Sequence, residues 1–358
     1  MSERGRRGRR LGAGLGVAAG VAATAIVAER LAVRRLRRHH DPESGEDLGE
    51  LPPDNLGPVR SADGTEIAVR AAGPENAPIV VFSHGFSLDM TTWYYQWRRF
   101  SGRYRCVLFD HRSHGRSGKP ATDDYSVRAM GQDLLAVVDH VAAERPVVLV
   151  GHSMGGMAII ALAEAHPEMF GSRIRGVVLA DTAASDIARE FLGSVGARLE
   201  RALRPVTTAL TRDLGRVERF RGRLTKVTDL SFLIARATQF GPGASSTQVD
   251  YLARLSAAAP VEVWVHTAAD IREMDLRAAL ESITVPSLVV VGDRDMVTPK
   301  TSALALRDAL PEARAVVITR AGHVSMMEQH DVFNEVLTKY LDDIAEPKKR
   351  RRRALARR

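Results

Sequence analysis

Ser153 lies in the run Gly151, His152, Ser153, Met154, Gly155, Gly156, a serine between two glycines directly after an apolar stretch. A serine hydroxyl is a weak nucleophile at neutral pH. It attacks a carbonyl only when a base takes its proton and an acid orients that base and stabilises its cation. The chemistry this residue could do is therefore acyl transfer, given a histidine and a carboxylate to work with. His323, in Ala321, Gly322, His323, is the candidate base. Three carboxylates compete to orient it: Asp293 and Asp295, both in the run Gly292 to Pro299, and Asp181. His84, His114 and His152 each sit inside another motif and read as groups that orient loops.

Each candidate follows a strand-like segment. Pro146–Val150 (PVVLV), Ile174–Ala180 (IRGVVLA), Pro286–Val291 (PSLVVV) and Arg314–Thr319 (RAVVIT) are short, continuous and β-branched. That is the pattern of strands buried on both faces of a parallel sheet. Met154–Ala165 (MGGMAIIALAEA) is rich in helix formers and stops before Pro167, which predicts a helix. Ser153 thus stands at a strand-to-helix turn, where flanking glycines let the two elements approach and the hydroxyl project. Two further strands are expected. Pro78–Phe82 (PIVVF) leads into His84, Gly85, Phe86, and Tyr104–Phe109 (YRCVLF) leads into Asp110, His111, Arg112, Ser113, His114, Gly115, Arg116, Ser117.

With these four motifs in place, the chain from Arg60 to Asp343 resembles the α/β-hydrolase superfamily in its serine esterase and monoglyceride-lipase-like form. The resemblance implies an α/β fold: a mostly parallel central sheet flanked by helices, with a helical cap inserted before the strand that carries the catalytic acid. It also implies the chain order serine, acid, histidine. The family spacing of glycine, two residues, aspartate, then proline four residues on is met by Gly292, Asp295 and Pro299, and not by Asp293. Asp181 stays open, because some lipases carry the acid after the strand that precedes it. The backbone N–H groups of Phe86 and Met154 are implied as the oxyanion donors, which act well because they are fixed before the charge develops. One residue departs from the family pattern DxRGxGxS: Ser113 stands where that loop has glycine, which leaves the turn's geometry open.

The same residues sort the chemistry. Epoxide hydrolases and haloalkane dehalogenases carry aspartate at the elbow, where this chain has Ser153. Cofactor-free haloperoxidases and C–C bond hydrolases keep the serine but place phenylalanine or asparagine before it, whereas His152 is the form usual in esterases and monoglyceride lipases. The expectation is a serine hydrolase that cleaves carboxylic esters of hydrophobic acyl groups through an acyl-enzyme, with no cofactor and no metal. Acyl transfer to another alcohol, the other serine chemistries of the fold, and a ligand-binding protein without catalysis are the alternatives.

The insert between Thr182 and Ile283 reads as helical, with apolar positions at helical spacing in Ile187, Phe191, Leu192, Val195 and again in Val261, Trp264, Val265, Ala268, Ile271. The stretch VEVWV also alternates like a strand, but Pro260 suits a first helical position and favours helix. So long an apolar cap over the site suggests a hydrophobic substrate. Trp93, Tyr94, Tyr95 and Trp97 follow the oxyanion motif and either close that pocket or pack beneath the cap.

The chain has 358 residues, 45% of them hydrophobic and 26% charged, enough for one large core with extras. Its one cysteine, Cys106, lies mid-strand, so it reads as a small buried hydrophobe and forms no internal disulfide. The net charge of +8 is unevenly placed: residues 1–40 hold ten Arg and two Glu, and residues 348–358 hold eight Lys or Arg, which leaves the body at −8. An acidic body with basic ends argues against a nucleic-acid groove and for contact with an anionic membrane. Residues 11–28 are uncharged, and as a helix would span about 27 Å against a bilayer core of about 30 Å. They read as a single N-terminal anchor, with a cleaved signal peptide (and hence secretion) or an interfacial segment as alternatives. Arginines on both sides leave orientation open, and the oligomeric state is likewise unset. The expected organisation is a basic segment with anchor and linker (1–58), hydrolase core (59–182), cap (183–282), hydrolase core (283–346) and a basic tail (347–358).

Overall fold

The computed structural model describes residues 30, 33–37, 41–185 and 229–345. Among them eight strands form one sheet in the order β1-β2-β4-β3-β5-β6-β7-β8. The strands are β1 (Asp54–Arg60), β2 (Glu66–Ala72), β3 (Ile79–Ser83), β4 (Arg105–Phe109), β5 (Val147–His152), β6 (Ile174–Ala180), β7 (Ser287–Gly292) and β8 (Ala313–Ile318). From β4 onward the order is parallel, and β1 and β2 add an antiparallel margin. The central strands β3, β4, β5 and β7 are buried at every position, as their unbroken β-branched and aliphatic runs require. Register aligns their ends: Ser83 pairs with Gly151, His152 with Ala180, and Gly292 with Ile318. The loops that follow β3, β5, β6, β7 and β8 therefore emerge along one edge of the sheet, where open α/β sheets place their ligands.

Helices cover both faces. On one, α2 (Val127–Ala142) and α3 (Met154–Ala165) pack over Val81, Leu149 and Val289. On the other, α1 (Tyr94–Phe100) and the C-terminal α9 (His330–Ala345) pack over Phe82, Val150 and Val290. Trp93, Tyr94, Tyr95 and Trp97 are all buried in this second layer, with the Trp93 ring 5.2 Å from Phe82 and 6.3 Å from Phe333. They are packing groups. Cys106 is also buried, and burial pushes its thiol up to about 12.

The described part of the cap holds α4 (Asp229–Thr238), α5 (Ser246–Ala258) with a capping box between Ser245 and Gln248, a π-helical turn Val263–Thr267 and α6 (Ala268–Glu273). The stretch VEVWV is helical and not extended, its first turn closed by the Val263 and Trp264 N–H groups on the Pro260 carbonyl. The core then resumes with α7 (Lys300–Ala309) and the one-turn α8 (Ser325–Glu328). Ile187, Phe191, Leu192 and Val195, the apolar segment 11–28 and the tail 347–358 lie outside the described residues. No helix among the described residues is long and apolar enough to cross a membrane.

The segment read as a linker is docked. Residues 33–37 are helical, with Val33 buried and Arg37 bonded to Asp229 of α4 and Asp250 of α5. Asp41 accepts from the N–H and hydroxyl of Thr247, Glu43 accepts from the Tyr95 hydroxyl at 2.7 Å, Glu46 from Tyr94, and Glu50 pairs with Arg98. A division after residue 58 also falls inside β1, which opens at Asp54. Alternation of acidic side chains with Pro and Gly looks like a solvated connector in sequence. Here Asp41, Glu43, Glu46 and Glu50 each have a partner on the cap or on α1, and the stretch is a strap across both.

Candidate active site

The turn after β5 places Ser153 at φ 50°, ψ −119°, a left-handed conformation that costs a non-glycine residue about 1–3 kcal/mol. Close packing holds it there. A β-carbon on Gly155 would stand 2.2 Å from the Ser83 carbonyl oxygen, and one on Gly151 would stand 2.6 Å from that of Gly155, so strand and helix meet with no room for a side chain. The hydroxyl is thereby lifted out of the sheet edge at the N-terminus of α3.

His323, in the loop after β8, reaches it: Nε2 lies 3.0 Å from Ser153 Oγ and Nδ1 lies 2.9 Å from Asp295 Oδ2. All three side chains are buried. Asp295 sits in a turn after β7, where its Oδ1 accepts from the N–H groups of Val297 and Thr298 at 2.8 and 2.9 Å. Its Oδ2 also accepts from the Thr298 hydroxyl at 2.8 Å, and that hydroxyl is 3.3 Å from His323 Nδ1. Burial alone would raise the Asp295 pKa, but the His323 charge and the Thr298 hydrogen bonds outweigh it and hold the carboxyl below its ordinary value. For His323, burial works against the cation, and the facing Asp295 carboxylate overcomes it, so the imidazole binds protons more tightly than usual. The arrangement can pass a proton from the serine hydroxyl to the imidazole and stabilise the cation that results.

Of the other two acids, Asp293 points outward toward Arg294. Asp181 is fully buried, with Oδ1 accepting from Gly292 N–H and Oδ2 from the Ser325 N–H and hydroxyl. The acid bonded to His323 is Asp295.

Met154 follows Ser153 directly, and the loop that carries Phe86 runs beside it. Met154 is the first residue of α3, whose leading N–H groups have no intrahelical partner. The loop bearing Phe86 lies against the elbow, since a β-carbon on Gly85 would stand 2.6 Å from His152 Nδ1 and 3.2 Å from Ser153 Cβ. The shape of this loop is set by buried histidines. His84 Nδ1–H donates to the Gly85 carbonyl and its Nε2 accepts from His111 N–H, while His114 Nε2 accepts from Ser87 N–H. Burial drives these imidazoles to the neutral form, His114 down to about 4. His152 is likewise depressed by burial to about 3, and its Nε2–H donates to the His323 carbonyl at 2.8 Å. At Ser113, where a glycine is expected, the backbone is at φ 59°, so the turn keeps the left-handed form that favours glycine. The Phe86 ring meets Trp264 of the cap edge to face at 4.9 Å, which brings the cap over the oxyanion loop.

Thr298, Thr182, Ser325 and Glu328 also belong to the site and carry no motif of their own. Thr298 had one sequence signal: it stands three residues after Asp295, where an aspartate commonly caps the following backbone N–H groups. Glu328 accepts from Gly241 and Gly243 in the cap and from Gly322, next to His323, a pairing that sequence does not reveal.

A family model of the alpha/beta hydrolase fold matches residues 78–329. Among curated proteins, 3-oxoadipate enol-lactonase 2 of Acinetobacter baylyi is 27% identical over 268 residues, covering 74% of this chain and 89% of the relative. Among solved structures, a thermophilic esterase from Thermogutta terrifontis superposes with a TM-score of 0.63 at 24% identity, covering 81% of this chain and 99% of that one. A membrane phospholipase A, described as a bacterial virulence factor, superposes with a TM-score of 0.62 at 25% identity over 95% of this chain and 99% of that one. With the sheet order, the strained elbow and the match across residues 78–329 in agreement, the chain belongs to the alpha/beta hydrolase fold family.

Proposed function

We propose that the protein is a serine hydrolase that cleaves carboxylic esters of hydrophobic acyl groups through an acyl-enzyme, working at an anionic membrane. The observation that carries the reading is the chain of hydrogen bonds from Ser153 Oγ to His323 at 3.0 Å and from His323 to Asp295 at 2.9 Å. In the proposed cycle Ser153 Oγ attacks the ester carbonyl as His323 Nε2 takes its proton. The amides of Phe86 and Met154 receive the oxyanion, and the imidazolium then protonates the departing alcohol. Water repeats the sequence on the acyl-enzyme and releases the acid, with Asp295 holding the imidazole in one tautomer throughout.

Support for an apolar acyl group comes from the cap, whose Trp264 stands against Phe86. Support for a lipid ester comes from the likeness to the membrane phospholipase A, which extends over 95% of this chain. Apart from Arg37, which is paired with Asp229 and Asp250, the basic residues within 1–40 and 348–358 suit anionic phospholipid, each worth about 1 kcal/mol near such a surface.

Labelling with a fluorophosphonate probe tests the nucleophile: the wild type is expected to label and Ser153→Ala is not. An unlabelled wild type would refute the reading. A panel of p-nitrophenyl esters from acetate to palmitate, with lysophospholipid and phospholipid alongside, resolves the substrate. Flotation with anionic and neutral liposomes resolves the membrane contact; equal partition would remove it.

A further inference from the structure

The end of β6 touches the backbone beside each of the three residues assigned above. β6 lies between β5, which leads to Ser153, and β7, which leads to Asp295. Ser153 N–H donates to the Ala180 carbonyl at 2.9 Å, and the Thr182 hydroxyl donates back to the Ser153 carbonyl at 2.7 Å. Asp181 N–H donates to the Val290 carbonyl at 2.8 Å. Its side chain then divides: Oδ1 accepts from Gly292 N–H at 2.9 Å, three residues before Asp295, and Oδ2 accepts from Ser325 N–H at 3.1 Å and the Ser325 hydroxyl at 2.6 Å, two residues after His323.

We infer that Asp181, with Thr182, is the fixture that registers Ser153, Asp295 and His323 against one another, so that Asp181 is a positioning residue of the hydrolase. The chemistry explains why an aspartate stands there. The last residue of β7 and the first of α8 each present an N–H group, and only a carboxyl side chain offers an acceptor oxygen to each. Asparagine would turn an N–H₂ toward one of them. The position is costly to keep, because the carboxylate is fully buried and its backbone is at φ 46°, a region non-glycine residues avoid at about 1–3 kcal/mol. Burial and the nearby Asp295 charge push the Asp181 pKa up against the hydrogen bonds from Ser325 and Gly292, and those bonds fix the end of β7 and the start of α8 to the strand that also grips the elbow.

The inference rests on the reading of Ser153, His323 and Asp295 as the reacting set, so its test includes a readout independent of turnover. Asp181→Asn, Asp181→Ala and Thr182→Val are compared with wild type in the full chain. The measurements are kcat and KM on a p-nitrophenyl ester, fluorophosphonate labelling rate, Tm, and the far-downfield proton resonance of the His323–Asp295 hydrogen bond. Misplacing reacting groups by about 1 Å costs about 100-fold, so Asp181→Ala should lower kcat by about that and Asp181→Asn by about tenfold, with KM changed less than about twofold. In both, the downfield proton should move or vanish. Thr182→Val, which touches only the elbow, should keep that proton and slow labelling by about tenfold. Should Asp181→Ala fail to fold, Asp181→Asn and Ser325→Ala carry the test. Wild-type kcat with an unmoved proton in Asp181→Asn overturns the inference. A loss near 10⁴-fold would also overturn it, by making Asp181 the acid. A wild type that shows the proton but does not label defeats the serine-hydrolase reading alone, since the proton still reports whether Asp181 sets the His323–Asp295 geometry.

Discussion

Asp295→Asn should disable the enzyme by reversing one hydrogen bond. Oδ1 of Asp295 receives two backbone N–H groups, from Val297 and Thr298 at 2.8 and 2.9 Å, so an asparagine must keep its carbonyl oxygen there. Its N–H₂ group then takes the place of Oδ2, 2.9 Å from His323 Nδ1. An N–H facing Nδ1 forces that nitrogen to accept, and the neutral ring must carry its single proton on Nε2. That proton points at Ser153 Oγ from 3.0 Å. The hydroxyl then meets a donor where it needs an acceptor, and its proton has nowhere to go. The same inversion of tautomer in a serine, histidine, aspartate set costs about 10⁴-fold in kcat, equivalent to about 5 kcal/mol. The assay is steady-state hydrolysis of a short p-nitrophenyl ester, with circular dichroism melting to show that the near-isosteric variant still folds. Asp293→Asn, whose side chain faces solvent, is the control and should match wild type. An Asp295→Asn enzyme within about tenfold of wild type would refute the tautomer argument, since so small a loss is far below what the inversion demands.

Three further outcomes follow from the same geometry. Because Asp295 raises the proton affinity of His323 and the base must be unprotonated, kcat/KM should rise with pH through an apparent pKa above 6.5 and be lost below it; a midpoint under 6.5 would contradict the pairing. Gly155→Ala drives a β-carbon to 2.2 Å from the Ser83 carbonyl, so the elbow must shift. Overpacking of this kind costs about 1–3 kcal/mol, and calorimetry should show a lower Tm together with loss of fluorophosphonate labelling. Arg112, 1% exposed and bonded through two nitrogens to the buried Asp133, should destabilise by about 3–5 kcal/mol as Arg112→Met, because a buried carboxylate is left unpaired. The exposed Arg60 and Glu66 pair should contribute less than about 1 kcal/mol, so denaturant melts of Arg112→Met and Arg60→Ala should differ clearly.

The parts of the fold legible in sequence are the continuous apolar runs, most of them buried on both faces, with the half-exposed edge strand β8 the exception. β6 and α3 run over the residues read for them, Ile174–Ala180 and Met154–Ala165, and β3, β5, β7 and β8 begin or end within two residues of the expected runs. A strand covered on both faces must be apolar throughout, and that leaves a mark. β1 left none: it is an edge strand with Gly57 and Pro58 at an irregular register, mostly exposed, so it merged with the presumed linker. The site divides the same way. Ser153, His323 and Asp295 stand in local motifs, whereas Asp181, Glu328 and Thr182 act by accepting or donating to backbone groups far away in the chain. A carboxylate that grips a distant N–H looks in sequence like any other carboxylate. Trp93 and its neighbours were ambiguous for a related reason, since an aromatic run shows the need for burial and not the surface that provides it.

The docked strap changes what distance means for this enzyme. Thirteen unstructured residues between 41 and 53 would let their ends wander over about 20 Å, and a catalytic body on such a leash would sample its surroundings like a weight on a string. Arg37, Asp41, Glu43, Glu46 and Glu50 remove that slack by fastening the stretch to the cap and to α1. A membrane contact upstream of residue 33, of the kind proposed above, would then set the height and tilt of Ser153 as a bracket sets a tool. Molecules at that height and angle would meet the serine, so mounting geometry would choose the population the hydrolase draws on.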